Sequence, residues 1–154
     1  MANMEIDPRG PRVAALITTV VLAVVLITGS VWLLAFQALV FAVASVFGLR
    51  YSPYGLLYRR LIRPRLGPPS ELEAEAPPRF AQGVGLVFAL AGVAGYAANL
   101  VWLGRAATAL ALVAAFLNGV FGFCLGCEMY LLIKRLRPGR QGMADPESDK
   151  EVAV

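Results

Sequence analysis

Between Val13 and Leu49 the chain carries not one charged residue. That run is roughly twice the ~20 apolar residues an α-helix needs to cross ~30 Å of hydrocarbon, so the chain must cross and return. Thr28-Gly29-Ser30 is the one plausible turn within it. It divides the run into two short spans, about 13–28 and about 31–48, with Trp32 at the boundary level where indole prefers to sit. The polar opening up to Arg12 holds Pro8, Gly10 and Pro11, all poor in helix interiors, so the first helix is expected to start only there. No small-residue cleavage site separates the first apolar run from the second, and the first is expected to stay in the protein as a span.

The second half repeats the pattern. A third span is predicted over about 80–103, where Gly83, Gly85, Gly92 and Gly95 among many alanines let neighbouring backbones approach closely. Gly104-Arg105 marks the next reversal, and a fourth span over about 106–133 is long enough at ~1.5 Å per residue to project beyond the bilayer. Between the two pairs lies a loop, 49–79. There Tyr54, Leu57, Tyr58 and Leu61 recur at helical spacing while Arg59, Arg60 and Arg63 face elsewhere, the pattern of an amphipathic helix lying on a membrane surface. Ser70 with Glu73 three residues on has the capping-box spacing, for a short acidic turn ended by Pro77 and Pro78. The tail, 141–154, is polar and aperiodic and is expected to be disordered. The fold class that follows is all-α: a polytopic membrane four-helix bundle, one domain over 1–140, with an amphipathic surface helix in a central cytoplasmic loop.

Composition agrees: 58% of the residues are hydrophobic and only 16% charged, too apolar for a soluble domain. The net charge of +4 comes from arginines beside apolar segments, which points to lipid headgroups as partners and away from nucleic acid. All the positive residues except Arg105 fall on one side of a four-span chain, and the positive-inside rule then puts both termini and the central loop in the cytoplasm of a plasma-membrane protein. The chain has no histidine, which removes the usual neutral-pH acid and base, the commonest metal ligand and every imidazole-dependent triad.

Chemistry then rests on "FCLGCEMY". Cys124 and Cys127 are three apart, on one face of a helix and near the cytoplasmic end of the fourth span. Three readings stand. As a redox dithiol, Cys124 attacks, Cys127 resolves, and neighbouring charge sets the thiolate fraction. An intrahelical disulfide at this spacing is strained unless the helix unwinds, which Gly122 and Gly126 would permit. As a metal site, two thiolates and Glu128 fall short of a closed set, so a homodimer supplying four sulfurs would be required. As packing, Gly119, Gly122, Cys124, Gly126 and Cys127 form a small-residue seam against the third span. Glu128, a carboxylate near hydrocarbon, is expected to pair with Arg79 or Arg50 and to control local charge. The amides of Gln37, Asn99 and Asn118 are expected to serve packing.

The pieces "DPRGPR", "IRPRLGPPSELEAEAPPRFAQGVG" and "FGFCLGCEMY" resemble an uncharacterised bacterial integral membrane family, domain of unknown function 4395. The resemblance covers nearly the whole chain and implies a small four-span protein, some members having thioredoxin-like or sulfurtransferase neighbours. By position it carries over Arg9, Arg12, Arg63, Pro64, Pro78 to Gln82, Gly122, Cys124, Gly126, Cys127 and Glu128. The expected function is thiol redox or sulfur handling with a soluble thioredoxin-like or rhodanese-like partner, without a cofactor. The competing readings are a scaffolding membrane protein whose cysteines only pack, and a small transporter of anions or sulfur compounds.

Overall fold

The computed structural model describes residues 4–137, and the expected disordered tail lies outside them. Helix α1 spans Arg9–Thr28. It begins earlier than the prolines suggested, because a proline in the first turn gives up only an N–H that would have no intrahelical acceptor. The N–H of Arg9 instead donates to the Asp7 carboxylate at 3.0 Å. Gly29 closes α1 in the left-handed region, φ 67°, and Ser30 caps α2, Val31–Val46, by accepting the Leu33 N–H.

Strand β1, Glu5–Ile6, pairs antiparallel with β2, Glu73–Ala74, so the segment read as a capped acidic turn is extended instead. The next residues explain it. Glu75 is buried, 4% exposed, its N–H donating to the Met4 carbonyl and its Oε1 accepting the Leu49 N–H at 2.9 Å. Pro77 and Pro78 do not end a turn; they sit in the first turn of α4, Ala76–Ala97, which therefore starts before residue 80. The expected surface helix is present as α3, Pro53–Leu57, a π-helical turn Tyr58–Ile62 and a 3-10 turn Arg63–Arg65. Tyr54 and Tyr58 are buried against the protein, whereas Leu57 and Leu61 point outward.

Helix α4 ends at a turn around Asn99, which takes φ 59° in the left-handed region that asparagine tolerates. Helix α5 then begins at Val101 and runs to Phe116, continuing as a π-helical turn to Phe121. The reversal thus precedes the expected Gly104-Arg105. Gly104 is needed inside the bundle, since a Cβ there would stand 2.8 Å from the Tyr96 ring of α4, just as one on Gly95 would stand 2.6 Å from the Gly104 amide nitrogen. The fourth span breaks at Gly122, and α6 covers Leu125–Leu136.

Helices α1, α2, α4 and α5 pack in a ring in that order, with α6 against α4. Leu22, Val25, Leu34, Ala38, Phe41, Ala89 and Ala111 fill the centre. Within it Gln37, 0% exposed, donates to Thr18 Oγ1 at 3.4 Å and accepts from the Tyr54 hydroxyl at 2.7 Å, so its amide joins α1, α2 and α3. Outward faces are apolar, as lipid requires: Ile27 is 84% and Trp32 87% exposed. Arg9–Thr28, Ala76–Ala97 and Val101–Phe121 are each long and apolar enough to cross a membrane, and α2 is a shorter apolar helix. The protein is a membrane helical bundle. One end gathers the starts of α1 and α4, the strand pair and the arginine-rich segment 50–65, while Arg105 and both Trp32 and Trp102 lie at the other.

Candidate functional site

The cysteine pair sits where the last apolar helix is interrupted. The π-helical turn Leu117–Phe121 widens the end of α5, and Gly122 stops it in the left-handed region at φ 69°, its N–H donating to the Asn118 carbonyl at 3.1 Å. A side chain at that φ is disfavoured by its own Cβ, so glycine is the natural residue for the break. Two residues on, Cys124 is extended, φ −92° and ψ 99°, and acts as the N-cap of α6. Its carbonyl accepts the Glu128 N–H at 3.0 Å and its Sγ accepts the Cys127 N–H at 3.3 Å. Cys124 and Cys127 form a disulfide, their Cα atoms 5.2 Å apart. The pair is therefore not on a continuous helix: Cys124 stands before the first turn and Cys127 within it.

Three contacts hold this turn in place. Gly119 lies against α1, where an added Cβ would come 2.9 Å from Leu16 Cδ2. Gly126 lies against α4, where it would come 2.5 Å from Ala81 Cβ. One turn on, the Tyr130 and Phe80 rings pack with centroids 5.7 Å apart. The small residues thus divide between two neighbours rather than forming one seam against the third span. Both cysteines are partly exposed, and Phe121, Phe123 and Leu125 beside them are exposed.

The charges around the pair differ from those the spacing indicated. Glu128 is exposed in the first turn of α6, where the helix dipole favours a carboxylate, and among the described residues no arginine pairs with it. Arg79 is engaged elsewhere, donating through Nε and Nη2 to the Ser45 carbonyl at 3.2 and 3.0 Å and through Nη2 to the Val46 carbonyl at 2.8 Å. It satisfies the last turn of α2. Arg50 faces a cavity on the other side of α1's first turns. The guanidinium that reaches the break before α6 is Arg12, whose Nε and Cζ would lie 3.5 Å from a Cβ on Gly122. Only tertiary packing brings Arg12 and Gly122 together, so no local spacing could have revealed it.

Among the described residues no three His, Cys, Asp or Glu side chains come together as metal ligands. What the arrangement can do chemically is thiol–disulfide exchange. A sulfur at a helix N-cap faces free N–H groups and the positive end of the dipole, both of which stabilise a thiolate there.

No curated protein and no solved structure matches the chain. The profile of one family, the domain of unknown function DUF4395, matches residues 6–135, which takes in the cysteine pair and the described helices up to all but the last residue of α6. The chain belongs to that family.

Proposed function

We propose that the protein is a plasma-membrane thiol-exchange protein, with both termini and the 49–79 loop in the cytoplasm, that passes electrons between its Cys124–Cys127 pair and a soluble thioredoxin-like or rhodanese-like partner. The observation that carries this reading is Cys124 at the N-cap of α6, partly exposed and bonded to Cys127 across the first turn. In the reduced protein, the Cys124 thiolate attacks a partner disulfide, forming a mixed disulfide and releasing one partner thiolate. Cys127, as thiolate, then attacks Cys124 Sγ, closing the internal disulfide and releasing the second partner thiolate. Two electrons pass to the partner; run backward, the same steps oxidise it. The N-cap position of Cys124 favours the thiolate, and exposed Glu128 limits that effect. The gathering of arginines at the end that holds the pair supports a cytoplasmic setting.

The test is a Cys127→Ser variant, which leaves Cys124 able to form the mixed disulfide but removes the thiol that resolves it. A covalent adduct that dithiothreitol releases, and that Cys124→Ser abolishes, is the expected result. A membrane-impermeant maleimide should label the reduced pair in inside-out vesicles and not in right-side-out ones. Thiols that stay unlabelled in both until detergent unfolds the bundle would sink the proposal in favour of packing.

A further inference from the structure

On the opposite face of α1 from Arg12 is a second feature, independent of the cysteines. A cavity of about 270 Å³ opens between β1, the first turns of α1 and the helical segment Pro53–Arg65. Gly10 and Ala14 line it from α1, whereas Arg12 and Leu16 look toward the end of α5, as positions two apart on a helix must. We infer that this cavity binds the phosphate of a membrane phospholipid headgroup through Arg50, Arg59 and Arg63, with the glycerol end of the lipid against Ala14 and Leu49.

Charge is the first reason. Three arginines line the cavity, against Glu5 and Asp7. Asp7 is already committed: Oδ1 accepts the Arg9 N–H at 3.0 Å and Oδ2 the Tyr58 hydroxyl at 2.7 Å. Asp7 keeps its charge but both its oxygens are thus engaged, so the lining retains one guanidinium in excess of its carboxylates, and that excess suits a phosphate, which guanidinium planes bind bidentately. Backbone geometry is the second. The π-helical turn Tyr58–Ile62 sets Arg59 and Arg63 on the cavity wall together, while Arg60 and Arg65 lie outside its lining. Such wide turns are rare and recur at functional sites.

Position and size decide between sources of phosphate. Gly10 and Ala14 belong to the first turns of a membrane span, at the depth where headgroups lie. The volume falls just below the ~300 Å³ at which small-molecule pockets begin, room for a headgroup with its acyl chains left outside. Leu56, Leu57 and Leu61, exposed on the same segment, supply an apolar flank for those chains. A soluble phosphate ester shares the chemistry but gains nothing from that flank.

The experiment uses the full chain in neutral detergent and reads binding by native mass spectrometry. Short-chain phosphatidylglycerol and glycerol 3-phosphate are the probes, each against wild type, Arg59→Gln/Arg63→Gln and Arg60→Gln/Arg65→Gln. Phosphatidylglycerol should bind wild type and the Arg60/Arg65 variant alike and the Arg59/Arg63 variant at least about tenfold more weakly, as losing two charge-assisted hydrogen bonds requires. Ala14→Leu, which fills the cavity and leaves every charge in place, should also lose binding. Equal loss in both arginine variants, unimpaired binding by Ala14→Leu, or glycerol 3-phosphate binding as tightly as the lipid would each overturn the inference. None of these outcomes depends on the cysteines, so the serine variants should bind lipid as wild type does.

Discussion

Replacing Gly122 by alanine should make the Cys124–Cys127 disulfide easier to reduce. The break before α6 needs residue 122 at φ 69°, a conformation that costs an L-residue with a Cβ about 1–2 kcal/mol. Space does not limit the substitution, because the nearest atoms to the new methyl would be the Arg12 guanidinium at 3.5 Å, which is ordinary contact. The cost is therefore almost wholly one of backbone conformation. In the oxidised protein it cannot be avoided, since Cys124 has to stay extended before the first turn for its sulfur to reach Cys127. In the reduced protein the chain is free to let α5 run on through 122, where alanine is the best helix former. The penalty thus falls on the disulfide form, and at 30 mV per 1.4 kcal/mol the midpoint should rise by about 20–45 mV. Asparagine, which tolerates the left-handed region, should shift it much less. Purified protein equilibrated in dithiothreitol buffers of graded potential, quenched with a polyethylene-glycol maleimide and resolved by gel mobility, gives the midpoint directly. An unchanged midpoint for Gly122→Ala would show that reduced and oxidised forms share the turn. Equal shifts for alanine and asparagine would show that backbone conformation is not the cause.

Other perturbations should have equally definite results. Gln37→Leu strands the Tyr54 hydroxyl in the core at a cost of about 1–3 kcal/mol, and adding Tyr54→Phe should recover part of it. Additivity in a double-mutant cycle, read from detergent unfolding by circular dichroism, would refute the coupling. Gly126→Ala should loosen α6 from α4 by about 1–3 kcal/mol despite its helix-propensity gain, and Ala81→Gly should not restore the fit, because the added methyl would still stand 2.6 Å from the residue 81 Cα. Hydrogen exchange of the α6 amides would report both. Tyr58 has its pKa pushed up to about 12, by burial first and then by its hydrogen bond to Asp7. Because the folded value lies above the unfolded one of about 10, its contribution to stability is complete below pH ~10 and is lost as pH rises through ~12. Alkaline unfolding should lose this component in Tyr58→Phe, and an identical alkaline limb in the variant would contradict it.

The membrane character was legible because apolar length and arginine placement are local properties of the chain. The third reversal was misplaced because Gly104-Arg105 has the composition of a turn, whereas the chain turns at Asn99 and spends Gly104 on close contact with Gly95. Pro77 and Pro78 were read as stops because proline both ends helices and opens them, and only the pairing of β2 with β1 decides which. At the candidate site, Gly122 and Gly126 indicated that the helix could unwind, and Cys124 does cap a new one. The partners of charge were not legible. Burial cost offered Arg79 or Arg50 as the partner of Glu128, whereas Arg79 caps α2 and Arg12 reaches Gly122 from the far end of the chain. Pairings of that kind are fixed by how helices sit side by side, which no short window contains.

The small ladder between Glu5–Ile6 and Glu73–Ala74 bears on how the protein is made. It can close only if the start of α1 and the start of α4 emerge on the same face of the bilayer, and with it closes the contact of the Glu75 N–H to Met4. During synthesis the first span is complete at Thr28, well before residue 73 exists, an interval of about 2–9 s at ordinary elongation rates. Throughout that interval a chain with α2 inserted and one with α2 left outside the membrane share the same first span. Two spans lie between the strands, so the ladder closes for either orientation of a complete hairpin, whereas a chain whose short α2 stays outside the membrane has its opening segment across the bilayer from residues 73–75 and leaves the Glu75 N–H without the Met4 carbonyl. Closure of the ladder is therefore tied to the insertion of α2, the shortest of the apolar helices that cross between the two strands.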